Sequence, residues 1–211
     1  VSVLYTNATS HQPFIMWNLT ADPNVTALYL FDLKIYETYK HWAFLDMLGH
    51  GTAVSSIIIG KPGVNPPVAG LAPGAKLIMI KAFYSNGTAS LAAVLTALQW
   101  VYNYSSKYNI RVLSMSWGAL VVGSDPLEPV LQELYAKGIV LVGAAGNYGT
   151  VPGDVVFPAA SRYVIAVGAM DCYTGQVAPF SSSGPGPYLD LVKPDLMACG
   201  LNVPVLKPSY V

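Results

Sequence analysis

From residue 50 onward, short apolar runs alternate with stretches of helical periodicity, and this alternation limits the fold more than any other feature of the chain. The runs at 76–83, 112–116, 140–144 and 164–169 are short and nearly free of charge, as strands buried on both faces are. Helices are expected around them at 50–59, 90–104 and 126–137. Leu91, Val94, Leu95, Leu98 and Tyr102 recur at helical spacing behind Ser90, a favourable N-cap. Further on, Asp125, Pro126 and Glu128 read as N-cap, N1 proline and N3 glutamate. Leu127, Val130, Leu131 and Leu134 form the apolar stripe of that helix, and Gly138 closes it. Strands joined through helices require right-handed crossovers, which cover a parallel sheet on both faces. The expected class is therefore α/β, a three-layer α/β/α arrangement with a central parallel sheet. Ligands of such sheets bind beyond the carboxyl ends of the strands, and Ser116-Trp117-Gly118 and Gly146-Asn147 fall at such ends.

Composition removes several classes of function. The chain has 211 residues, 53% of them hydrophobic and 10% charged, so it can bury one sizeable core and is not disordered. Eleven basic residues balance eleven acidic ones, which leaves no basic surface for nucleic acid. No apolar run reaches the roughly 18–20 residues needed to cross a bilayer. Residues 6–45 carry no clear period apart from a strand-like Thr26–Phe31, and read as a long surface excursion. No repeat or linker interrupts the chain, so residues 1–211 are expected to form one domain.

Five segments carry chemistry or its scaffold. His50 lies in Gly49-His50-Gly51-Thr52-Ala53-Val54, at the head of a helix of small residues from which an imidazole can project. It is the side chain whose ordinary pKa suits proton transfer near neutrality. Then come Gly70-Leu71-Ala72-Pro73-Gly74-Ala75, Ser114-Met115-Ser116-Trp117-Gly118, Val140 through Asn147, and Tyr163 through Ala198 with Phe180-Ser181-Ser182-Ser183-Gly184-Pro185 and Lys193-Pro194-Asp195. Together, in this order, they resemble the subtilisin-like serine proteases, the subtilase family, over roughly residues 46–200. That resemblance implies peptide-bond hydrolysis by a Ser-His-Asp mechanism, with His50 as the base and Asn147 as the side-chain donor to the oxyanion. It also implies that Ser116, Trp117 and Gly118 pair with the substrate backbone and wall the P1 pocket. His50 and Asn147 are then expected to face one shared cleft.

Two members of the triad are not found. The family's Gly-Thr-Ser-Met-Ala run should follow Gly200 after a short interval, and Val211 is reached first. Ser181, Ser182 and Ser183 match a structural segment, and Ser209 lacks the nucleophile's surroundings. For the aspartate two placements stand. Val1–Asn7 has the rhythm of the aspartate strand, with Tyr5 and Asn7 in place of Asp and Gly; alternatively that strand lies upstream of Val1. The second is favoured, because one truncation at both ends then explains both gaps. Asp46 resembles a carboxylate often found before the histidine motif; it is expected to shape the S2 region and is not assigned to the triad. The stretch is thus expected to end before the nucleophile, to be inactive alone, and to depend on flanking segments or a complementing chain for Asp and Ser.

The alternative is a non-catalytic protein of the same fold, serving in binding or at the cell surface. Nucleotide binding at Gly143–Gly149 is set aside, since the glycine spacing departs from Gly-x-Gly-x-x-Gly and Pro152 and Gly153 prevent the following helix. Asn7, Asn18, Asn24, Asn86 and Asn103 each begin an Asn-x-Ser/Thr sequon, where chance gives roughly one. Five glycosylation sequons point to a secreted or cell-surface protein. Cys172 and Cys199 are compatible with a disulfide or with two small thiols. The expected partner is a peptide or protein substrate. The chemistry requires no cofactor, and the sequence identifies no metal ligands, a structural calcium included.

Overall fold

The computed structural model describes residues 2–4, 15–18, 46–61, 69–121, 125–149, 155–184 and 191–208. They belong to two compact units, Val1–Ala97 with Pro204–Val211, and Leu98–Val203. The strand-like stretch at 26–31 lies outside the described residues.

The first unit contains β1 (Ser2–Leu4), β2 (Ile15–Asn18), α1 (His50–Ile59) and β3 (Ile78–Lys81). Its three strands form an antiparallel sheet in that order, with Val3 opposite Trp17 and Met16 opposite Ile80. The strand expected at 76–83 is therefore present but shorter, and its neighbour is β2 instead of a strand of the parallel sheet. An apolar run offers the same backbone ladder to either kind of partner. Here the edge is taken by a segment whose own sequence shows no strand period.

Between the antiparallel and parallel sheets in sequence runs α2 (Leu91–Tyr108). Ser90 Oγ accepts the Ala93 amide at 3.1 Å, the cap expected of it. At the other end Asn109 takes φ 50°, and the Ile110 amide returns to the Ser105 carbonyl at 2.9 Å, closing the helix four residues later than the periodicity suggested.

The second unit holds β4 (Val112–Met115), α3 (Glu128–Ala136), β5 (Val140–Ala144), β6 (Val164–Met170) and β7 (Leu196–Cys199). All four strands are parallel, in the order β4-β5-β6-β7. The register sets Met115 beside Gly143, Ala144 beside Val167, and Met170 beside Cys199. α3 is the crossover between β4 and β5. It begins later than expected because Asp125 makes a turn first: its Oδ1 accepts the Leu127 amide at 2.9 Å, and its carbonyl accepts that of Glu128 at 3.2 Å. Gly138, at φ 78°, ends it as expected, with the Ile139 amide bonded to the Leu134 carbonyl.

Leu131 and Leu134 of α3 are wholly buried, as are Met115, Leu141 and Ala166 of the sheet. Truncating either leucine to alanine would cost about 2–5 kcal/mol. A second layer of contacts comes from Val155 to Ala160, which lies so close to β5 that a Cβ on Gly143 would stand 3.1 Å from the Ala159 backbone.

Candidate active site

His50 opens α1 and is exposed. Two features hold the helix head beneath it. Gly49, the residue before it, takes φ 80°, a left-handed conformation that suits glycine. Asp46 then turns its carboxylate onto the first turn. Its Oδ1 accepts the Gly49 amide at 2.9 Å, and its Oδ2 accepts both the amide and the hydroxyl of Thr52 at 2.7 Å. A carboxylate here satisfies amides that the helix leaves unpaired and matches the positive end of its dipole. Asp46 thus supports His50 through the backbone, as a helix cap four residues upstream. Burial lowers the pKa of Lys81, on β3, and the negative charge of Asp46 opposes that shift.

The far end of α1 is held by the second sequence motif. The amides of Gly70, Leu71 and Ala72 donate to the carbonyls of Gly60, Ile57 and Ile58 at 2.7, 3.0 and 2.8 Å. A Cβ on Gly70 would collide with the backbone of Ile58, Ile59 and Gly60, so only glycine permits this approach. The Gly-Leu-Ala-Pro run is therefore the C-terminal cap of the histidine helix. The Leu206 amide adds a bond to Ser56 Oγ at 3.0 Å.

In the second unit, Ser116, Trp117 and Gly118 follow the carboxyl end of β4, and Gly146 and Asn147 follow that of its neighbour β5. Ser116 and Trp117 are half-buried, while Gly118 and Asn147 are exposed. Val156 lies between the two strand ends. A Cβ on Gly118 would strike the Val156 side chain and the Phe157 carbonyl, and one on Gly146 would come within 3.0 Å of Val156 Cγ1. The Val156 amide also donates to the Ala145 carbonyl at 2.9 Å, and Ala119 and Phe157 exchange two bonds of 3.0 Å. The structure thus brings the Ser116–Gly118 edge and the Asn147 loop together around one buried valine. Sequence reasoning missed Val156; the two glycines that make room for it were its only trace.

Asn147 itself is framed from behind. The Ser182 amide donates to the Gly146 carbonyl at 3.0 Å, Ser182 Oγ accepts the Tyr148 amide at 3.0 Å, and the Gly149 amide donates to the Phe180 carbonyl at 2.9 Å. Gly146 at φ 120° and Gly149 at φ 85° supply the turn. Ser181 does a different job: its Oγ accepts the Ala169 amide at 2.9 Å, tying the serine run to β6.

The Lys-Pro-Asp motif is also scaffold. Buried Lys193 donates to the Val164 carbonyl at 2.8 Å and to Asp195 Oδ2 at 2.6 Å, and the same oxygen accepts the Ala166 amide at 2.7 Å. Cys172 and Cys199 form a disulfide between the ends of β6 and β7, their Cα atoms 5.2 Å apart. Of the sequons, Asn86 and Asn103 are exposed. Asn86 Oδ1 accepts the amide and hydroxyl of Thr88 at 3.0 and 2.8 Å. Asn18 ends β2, and Asn7 and Asn24 lie outside the described residues. Among the described residues no three acidic, histidine or cysteine side chains are grouped to hold a metal ion, and no helix is long and apolar enough to cross a membrane.

An α/β scaffold with a histidine at a capped helix head has counterparts among known proteins. The sequence profile of the subtilase family matches residues 1–210. The chain belongs to the subtilase family. It is 37% identical over 161 residues to a thermostable alkaline protease of Halalkalibacterium halodurans, covering 76% of this chain and 40% of that protein. It is 33% identical over 163 residues to subtilisin DY of Bacillus licheniformis, covering 76% and 54%. The solved structure of sphericase superposes with a TM-score of 0.68 at 25% identity, covering 77% of this chain and 56% of that one. The fold is accordingly the three-layer α/β/α class with a parallel sheet. The chain spans about half the length of the relatives it matches.

Proposed function

We propose that this chain is the core of a secreted serine endopeptidase in which His50 is the general base and Asn147 the side-chain oxyanion donor. The observation that carries this reading is the head of α1, where Asp46 and Gly49 hold the backbone and leave His50 exposed. Membership of the subtilase family over residues 1–210 supports it. In the reaction, His50 removes the proton from a serine hydroxyl as that oxygen attacks the scissile carbonyl. The electron pair of the carbonyl moves to oxygen, where the Asn147 amide donates a hydrogen bond. The imidazolium then returns its proton to the leaving amine, and a water repeats the cycle on the acyl-enzyme. Ser116 to Gly118 bind the substrate backbone as an added strand. The serine and the aspartate that orients His50 are supplied by flanking segments or a complementing chain. No cofactor takes part. The disulfide and the exposed sequons at Asn86 and Asn103 support an extracellular or cell-surface location.

The test compares the 211-residue chain with a protein carrying its flanking segments. The chain alone should not cleave peptides. The longer protein should, and a serine-directed phosphonylating reagent or His50→Ala should abolish the activity. An inert long protein would favour the non-catalytic, binding reading of the fold, and turnover by the chain alone would show that the nucleophile lies within it.

A further inference from the structure

We infer that Ser182 is the positioning residue for Asn147, setting the angle at which the exposed amide is presented; this rests on the oxyanion reading of Asn147. Ser182 lies 35 residues beyond Asn147 in the chain, is wholly buried, and grips the backbone on both sides of it. Its amide donates to the Gly146 carbonyl, one residue before, and its Oγ accepts the Tyr148 amide, one residue after, both at 3.0 Å. A third bond, from the Gly149 amide to the Phe180 carbonyl at 2.9 Å, extends the same clamp by one residue.

The packing is as close as the bonding. A Cβ on Gly146 would stand 2.8 Å from Ser182 Oγ and 3.3 Å from Ser182 Cβ, so the serine packs directly against the residue that follows β5. Gly146 itself sits at φ 120°, which a residue with a side chain rarely adopts. With the peptide groups before and after Asn147 both tied to one buried residue, the Cα–Cβ direction of Asn147 has little freedom left. An oxyanion donor acts by being aimed before the charge appears, and a misplacement of about 1 Å can cost about 100-fold in rate. Ser181 and Ser183, on either side in the sequence, do not have this role. Ser181 Oγ is bonded to Ala169 instead, and Ser183 is only half-buried.

Ser182→Ala removes the acceptor for Tyr148 and keeps the backbone bond to Gly146. In the proteolytically competent protein that carries this chain, it should lower kcat about 10-fold to 100-fold and leave KM unchanged. Asn147→Ala should lower kcat by about 100-fold to 1,000-fold. In the Asn147→Ala background, Ser182→Ala should lower kcat no further, because the residue it aims is gone. Amide hydrogen exchange gives a readout independent of turnover. The Tyr148 amide should be protected in the unsubstituted chain and exchange at least about 10-fold faster in Ser182→Ala, with β5 unchanged. Equal kcat losses in both backgrounds would show that Ser182 acts elsewhere and overturn the assignment. So would a Tyr148 amide that exchanges at an open-loop rate in the unsubstituted chain, a result that stands even if Ser182→Ala fails to fold. If Asn147→Ala itself leaves kcat unchanged, the oxyanion reading falls and takes this inference with it.

Discussion

Replacing Asp46 by alanine should loosen the head of the histidine helix. The substitution removes three hydrogen bonds at once, to the Gly49 amide at 2.9 Å and to the amide and hydroxyl of Thr52 at 2.7 Å. Loss of a helix N-terminal cap costs about 0.5–2 kcal/mol, and hydrogen bonds to a charged acceptor lie at the upper end of the usual range. Asp46 is half-buried, so water replaces part of what is lost. The net expectation is about 2 kcal/mol, or a fall in Tm of about 4–8 °C for a chain of this length. Asp46→Asn should recover part of it, because its single amide oxygen can still accept from Thr52 while its nitrogen faces the Gly49 amide, a donor it cannot satisfy. Thermal unfolding followed by circular dichroism measures the shift, and a cycle with Thr52→Ala isolates the hydroxyl's share, about 1 kcal/mol. NMR titration of Lys81 provides a second readout: without the carboxylate the influence opposing burial is lost, and its pKa should fall further. A Tm loss under about 1 °C together with an unmoved Lys81 would refute the capping argument.

The disulfide closes a loop of 27 residues in sequence separation, which corresponds to about 3.5 kcal/mol of chain entropy. Reduction, or Cys172→Ser with Cys199→Ser, should lower Tm by about 7–14 °C, and an unchanged melting curve would show that the link constrains nothing. Burial raises the pKa of Asp125, whose Oδ2 has no hydrogen-bond partner among the described residues. A raised pKa favours folding below the ordinary carboxylate range and forfeits that advantage as pH rises through the shifted value. Asp125→Asn should therefore be more stable than the parent at pH 7, with the gap closing near pH 3–4; a variant no more stable than the parent at pH 7 contradicts this. Gly118→Ala should destabilise by about 1–3 kcal/mol, since its Cβ would meet Val156 and the Phe157 carbonyl, and Val156→Ala should relieve part of the loss in a double-mutant cycle.

What the residues determined by themselves was local. The alternation of short apolar runs and helical periods predicted the parallel sheet of β4, β5 and β6, but not the burial on both faces expected of it, since Val112, Val140 and Ile165 are exposed. Ser90 as a cap, Gly138 as a stop, and His50 at the head of a helix were legible because each depends on neighbours within about four positions. The Tyr163–Ala198 segment was recognisable as scaffold, though not what it does. Only the tertiary structure decided which partners were chosen. β3 pairs with β2, Gly70 to Ala72 cap α1, and Cys172 finds Cys199. Val156 fills the space between Gly118 and Gly146, and Ser182 holds the two peptide groups beside Asn147 from 34 residues beyond Tyr148. An amide, a glycine or a serine hydroxyl looks the same in sequence whatever it meets, and what it meets is set only when distant segments close on each other.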